Sequence, residues 1–144
     1  MNKSEIAIKK FNCSDCNYNC AQSVLYSFSK DFGLDEKLAL RIATGFGVGM
    51  GRNQSVCGAV SGAIMVISLK YGDNMEITYN RVRSFIQKFK EKTTTIECIN
   101  LLNGCNLLTE AGQKYFRENG LRQRKCNEYI KLSCEILEEI INEQ

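Results

Sequence analysis

The 144-residue sequence contains no histidine, no tryptophan and no proline. Without histidine there is no Ser/His or Cys/His catalytic pair and no mixed cysteine–histidine zinc site. Any metal would have to be held by thiolates or carboxylates. Without proline, nothing along the chain forces a helix to break. Net charge is scarce as well: 19 Lys and Arg face 16 Asp and Glu, a formal balance of +3. A nucleic-acid footprint is normally a strongly basic domain or stripe, so no nucleic-acid partner is expected. The longest apolar run, CGAVSGAIMVISL from Cys57 to Leu69, falls well short of the about 20 residues that span a bilayer. Arg52 and Lys70 flank it closely, so it reads as a buried core helix. The opening MNKSEIAIKKFNCSDC has no apolar h-region, so no signal peptide is expected. These readings together predict a soluble, cytoplasmic protein with no membrane association.

What the chain does have is cysteine, eight in all. A chain this long can bury enough surface to fold without disulfides. In the cytoplasm such cysteines read as metal ligands or redox thiols rather than as a disulfide scaffold. Apolar residues recur at helical spacing throughout, and no useful segment alternates as a strand does. Helices are predicted near 3–11, 20–32, 36–45, 56–70, 77–92, 96–103, 110–119 and 127–142. Asp35 is the expected N-cap of the third, with Leu38 and Ile42 facing inward. Tyr79, Val82, Ile86 and Phe89 form the expected apolar stripe of the fifth, and Ile130, Cys134, Leu137 and Ile141 that of the last. No linker or repeat interrupts the pattern. The expectation is an all-α fold, one compact bundle of seven or eight helices forming a single domain over 1–144.

The segment GFGVGMGR holds Gly45, Gly47, Gly49 and Gly51. It does not fit the phosphate-binding G-x-x-x-x-G-K-[ST] pattern, and no strand precedes it as a dinucleotide fingerprint requires. Alternating glycines do supply a backbone free to take positive φ, to approach another group closely, and to aim successive amides at an anion. Ser55 is a plausible N-cap after the loop, placing Cys57 in a first helical turn. Gly58 and Gly62, with Ala59 and Ala63 beside them, mark a helix end built for close approach.

Other cysteines fall at similar places. Asn19 is a candidate N-cap with Cys20 as first helical residue. Thr95 is a candidate N-cap with Cys98 in the first turn, and Cys126 or Asn127 caps the final helix. Helix N-termini favour nearby anions, so each thiol is expected to have a lowered pKa. Four helix ends converging on one point would hold Cys20, Cys57, Cys98 and Cys126 as four thiolates, the ligand set of an iron–sulfur cluster or a structural zinc. The wide sequence separations differ from the C-x2–4-C pairing of ordinary zinc sites.

The stretches NCAQSVLYSF, GLDEKLALRIATGFGVGMGR, VCGAVSGAIMVISLKYG, ECINLLNGCNLLTEAGQKYFRENGL and KCNEYIKLSCEILEEII together resemble the C_GCAxxG_C_C family of redox-active proteins. The resemblance covers nearly the whole chain from about residue 18, in the family's order and spacing. It places the family cysteines on Cys20, Cys57, Cys98 and Cys126 and implies a redox role. Cys13 and Cys16 are additional to it.

Cys13, Cys16 and Cys20 form C-x-x-C-x-x-x-C and are candidate redox thiols, able to exchange disulfides or to offer alternative ligands. Cys134 reads as a small core hydrophobe. Cys105 lies just past a helix end, with no role assigned. Backbone amides of Gly47, Gly49, Gly51 and Gly58 are candidates to tune the potential of a bound cluster. Two basic groups, Arg81, Arg83, Lys88, Lys90 and Lys92, and Arg117, Arg122, Arg124 and Lys125, read as solvated faces, as a docking patch for an acidic electron-transfer protein, or as charge compensation for an anionic cluster. Three functions stay open: an iron–sulfur centre for electron transfer or redox sensing, a metal-free thiol–disulfide oxidoreductase, and a structural zinc protein. The oligomeric state is not specified by the sequence.

Overall fold

A computed structural model describes residues 1–143. Among them there is no strand, only one isolated antiparallel bridge between Val56 and Glu97. Eight helices carry the fold: α1 (Lys3–Phe11), α2 (Cys20–Ser29), α3 (Glu36–Ala43), α4 (Gly58–Tyr71), α5 (Met75–Thr93), α6 (Cys98–Leu101), α7 (Glu110–Glu118) and α8 (Asn127–Asn142). The all-α expectation holds, and most boundaries fall within two residues of the predicted ones. The main differences are that α6 is a single turn and that α2 and α3 continue into short 3-10 turns. No helix among the described residues is long and apolar enough to cross a membrane.

Local chemistry explains the starts. Asn19 caps α2 through a reciprocal box with Gln22, each side chain accepting from the other residue's amide at 2.9 Å. This satisfies two amides that a helix end leaves unpaired. Asp35 caps α3 by accepting from the Leu38 amide at 3.0 Å. Asn2, Asn74 and Thr109 cap α1, α5 and α7 in the same way.

The main core lies among α1, α2, α4, α5 and α8. Phe28, Phe85, Phe89, Ile67, Ile130 and Leu137 are fully buried there, each worth roughly 1.5–3 kcal/mol relative to an exposed position. Two expected stripes need correction. Leu38 and Ile42 are 46% and 48% exposed, while Ala39 and Ala43 face inward. The small residues let α3 lie close on α2, and Gln22 reaches across to donate to the Leu40 carbonyl and the Thr44 hydroxyl. On α5, Tyr79 is half exposed, and Phe85 with Phe89 forms the inner face.

The tightest helix contact is α2 against α4. A Cβ at Gly62 would stand 2.8 Å from the Ala21 carbonyl oxygen. That partner is backbone inside a helix and cannot step aside. Gly62→Ala is therefore expected to destabilise the protein by about 1–3 kcal/mol through overpacking. Gly45→Ala meets nothing within 4 Å and should leave the urea midpoint nearly unchanged. Equal midpoints for the two variants would contradict the close crossing.

Candidate thiol centre

A second, smaller apolar cluster joins Cys98, Leu102, Cys105, Leu107 and Leu121, with Val48, Phe116 and Cys126 packed against it. A cavity of about 690 Å³ lies beside this cluster and the main core, and Cys20, Cys57, Cys98 and Cys126 all line it. Four cysteines that are 28 to 41 residues apart along the chain thus share one space.

Each is brought there by an identifiable contact. Cys20 is the first residue of α2, and Cys57 is the residue immediately before α4. The close crossing of these helices puts them together: a Cβ at Gly58 would lie 3.2 Å from the Cys20 Cβ. Cys98 is drawn to Cys57 by backbone pairing around the Val56–Glu97 bridge. The Cys57 amide donates to the Ile96 carbonyl at 2.8 Å, and the Cys98 amide to the Ser55 carbonyl at 2.6 Å. Cys126 closes the set from a π-helical turn, Arg122–Cys126, that runs directly into α8. Its thiol lies close enough to that of Cys20 for each to shift the other's ionisation. Such π turns recur at functional sites because they re-aim side chains within a continuous rod.

The expected N-terminal placement is therefore corrected in part. Cys57 is itself the N-cap, in place of Ser55, and Glu97 rather than Thr95 precedes Cys98; Cys126 is the N-cap of α8 as expected, but it also ends a π-helical turn that runs into that helix. The expected lowering of thiol pKa fails at three positions. Burial pushes Cys57 and Cys98 up to about 12, and charge on neighbouring thiols adds to it. The amides of Ala59 and Val60 pull Cys57 the other way and lose. Cys20 is held well above its ordinary value by its contact with Cys126 and by burial, whereas Cys126 is lowered by that same contact and by the Arg122 charge. Desolvation of a thiolate outweighs a helix-end field here, and α6 is too short to carry much of one.

The glycine loop has a definite shape. Val48, Gly49, Met50, Gly51 and Arg52 all have positive φ, making a left-handed turn closed by the Gly51 amide donating to the Gly47 carbonyl at 3.0 Å. Three of the five carry side chains, each strained by roughly 1–2 kcal/mol. Such strain persists only where surrounding structure enforces it. Gly49 is indispensable sterically, because a Cβ there would stand 2.5 Å from the Gln54 Cα. The loop's exit is locked by Gln54, which is 4% exposed. Its amide nitrogen donates to the Cys105 carbonyl at 2.8 Å, and its oxygen accepts from the Leu107 amide at 2.7 Å.

Of the four glycines expected to offer amides, Gly47, Gly51 and Gly58 line the cavity and Gly49 does not. The Gly47 and Gly51 amides are already committed to the Thr44 and Gly47 carbonyls. Only Gly58, opening α4, brings an amide at a helix start.

Other cysteines fall elsewhere. Cys13 and Cys16 are joined by a disulfide, in a segment whose following residues, Asn17 to Cys20, form one wall of the cavity. Cys134 is fully buried in the main core with its thiol at about 12 through desolvation. The Cys105 sulfur lies 3.2 Å from the Gly112 carbonyl, to which it donates.

Three residues matter beside the cysteines; sequence reasoning named Arg122 among the basic residues read as charge compensation for an anionic cluster and missed the other two. Arg122 stacks on the Phe11 ring at 3.6 Å and donates to the Phe11 and Tyr18 carbonyls, tying the π turn to the entry of α2. Tyr129 lines the cavity and donates to the Leu101 carbonyl at 2.8 Å. Gln54 is the third. Arg122 stands four residues before Cys126, a helical repeat that could have placed both on one face. Nothing local marks Gln54 as buried.

Fold and cavity together define an all-helical protein with a shared four-thiol pocket. The chain belongs to the family described as "Putative redox-active protein (C_GCAxxG_C_C)", whose profile it matches over residues 18–140. No curated protein and no solved structure matches the chain.

Two outcomes follow. Gln54→Ala leaves the Leu107 amide and the Cys105 carbonyl unpaired in a buried place, which is expected to destabilise by roughly 1–3 kcal/mol in urea; a change within a few tenths would show those bonds to be unimportant. The raised thiols set a pH dependence for the reduced, metal-free protein. Below about pH 9 both folded and unfolded chains keep these protons. Above it the unfolded chain releases protons that Cys57, Cys98 and Cys134 hold until about 12. Stability should therefore fall as pH rises across that window, and Cys134→Ala should make the fall shallower. A flat profile would contradict the burial of these thiols.

Proposed function

We propose that the four thiols of this cavity form a redox centre, and that in the cell they hold an iron–sulfur cluster serving electron transfer or redox sensing. The observation that carries this reading is the convergence of Cys20, Cys57, Cys98 and Cys126 on a cavity lined by no carboxylate. The donor chemistry fits: four sulfurs from four separate segments, with no histidine in the chain to make a mixed site. Among the described residues no three Cys, Asp or Glu side chains converge closely enough for one ion. Four thiolates are the donor set of an iron–sulfur cluster or of a zinc, and the wide sequence separations here differ from the paired spacing of ordinary zinc sites. When bound, such a cluster supplies one-electron redox chemistry.

The chain's own residues have separable tasks in this reading. Contact with Cys20 and the Arg122 charge favour ionisation at Cys126, while the other three thiols are raised. Arg122 supplies positive charge beside Cys126 and fixes the wall formed by Tyr18. Leu101, Leu102, Leu107 and Phe116 line the cavity and limit water around the thiols, and Gly58 lines it at the start of α4.

An acidic electron-transfer protein is the proposed partner. The basic side of α5 is partly neutralised within the molecule, because Arg81 pairs with Glu143 and Lys88 with Glu139 and Glu143. The cations near the cavity are thus the better candidates for docking.

The Cys13–Cys16 disulfide favours a second reading, thiol–disulfide exchange without a metal. Anaerobic reconstitution with iron and sulfide, followed by metal, sulfide and absorption analysis, separates the two. The cluster reading predicts a brown protein with stoichiometric iron and sulfide, abolished by Ser at Cys20, Cys57, Cys98 or Cys126 and retained with Cys134→Ser. Colourless, iron-free protein that turns over a dithiol substrate would contradict it.

A further inference from the structure

The charge around the cavity is one-sided. Arg52, Arg117 and Arg122 line it, and no Asp or Glu does. Arg122 is engaged with the Phe11 and Tyr18 carbonyls. Arg52 and Arg117 are exposed, and among the described residues no carboxylate pairs with either: the ion pairs lie at Lys3, Lys30, Arg81, Lys88 and Lys114. They come from different elements, Arg52 from the left-handed turn and Arg117 from α7. The turn that delivers Arg52 does so at the expense of a positive φ of 67° at Arg52 itself, a conformation that disfavours a side chain and needs a reason to be kept. Cations lining a concave, partly apolar space focus their field into it and raise the local concentration of anions. A guanidinium fork matches the oxygens of carboxylate, phosphate or sulfate. Asn17 also lines the cavity and carries a side-chain amide.

We propose that the mouth of the thiol cavity binds a small oxyanion, gripped by Arg52 and Arg117 and held against the four sulfurs. This names the ligand class of the centre. It rests on the thiol cavity described above but not on a cluster being present, since the arginines belong to the rim whatever the thiols hold.

The shared chemistry is an oxyanion, free or as the carboxylate of an organic acid, and two probes distinguish the sources. Calorimetric titrations at fixed ionic strength would add sulfate or succinate to the full-length, reduced, metal-free protein. Saturable binding of at least one probe is expected, weakened at least tenfold in Arg52→Gln/Arg117→Gln. Succinate alone would indicate an organic acid and sulfate alone an inorganic anion. Either probe should also slow alkylation of the cavity thiols by neutral iodoacetamide, which a merely structural arginine would not produce. Iron and sulfide per chain after reconstitution should be the same in the double variant and the parent. No saturable binding of either probe, or binding indifferent to the double substitution, would overturn the proposal. So would a variant that loses iron and sulfide while the parent binds neither probe, because the arginines would then serve the centre itself. Failure of reconstitution in the parent, with anion binding intact, would overturn the cluster reading and leave this one standing.

Discussion

The site depends on one contact, the crossing of α2 and α4 at backbone distance. Gly58 and Gly62 present no side chain to Ala21, so the two helices approach until Gly58 stands against Cys20. That crossing sets the separation of the first two sulfurs. It also fixes where the chain before Cys57 must run, and hence where the Val56–Glu97 bridge can recruit Cys98. The third sulfur is positioned by backbone hydrogen bonds and the fourth by a side-chain clasp. The order of dependence is packing first, then a short piece of strand-like pairing, then an arginine.

The electrostatics follow from the same crowding. Helix ends ought to make thiolates easy, and isolated they would. Packing the thiols together and away from water reverses the effect at Cys20, Cys57 and Cys98, while contact with Cys20 and the Arg122 charge lower Cys126. A centre in this state resists ionising several thiols at once. Binding a cation or a positively charged metal core would relieve that resistance, since each thiolate would then gain an opposite charge. The left-handed turn is the other strained element. Its three non-glycine residues hold conformations that the glycines between them make tolerable, and Gln54 secures the exit so that the turn cannot relax.

Much of this was legible in the residues. Helical periodicity and caps such as Asn19 and Asp35 are local signals, and they located the elements. The small-residue end of α4 announced a close approach, and the four cysteines that line the cavity were the four singled out by position. What was not legible depends on tertiary context. The inward face of α3 is chosen by its neighbour, which admits alanines and leaves Leu38 and Ile42 outside. The pKa direction at Cys57 is decided by desolvation, a property of the whole fold and not of the cap. The alternating glycines were read as an amide nest, but the Gly47 and Gly51 amides are spent on the Thr44 and Gly47 carbonyls. Gln54 carries no sequence signal because its partners lie more than 50 residues away.

The central claim, that widely separated cysteines meet in one cavity, is tested most directly by a short bis-alkylating thiol reagent. It would be applied to the folded, reduced, metal-free protein, and the bridged peptides mapped by mass spectrometry. The account predicts an intramolecular bridge between Cys20 and Cys126, the pair whose thiols shift each other's ionisation, with Cys134 unmodified. Cys20 and Cys126 labelled singly, or bridged only between molecules, would contradict it.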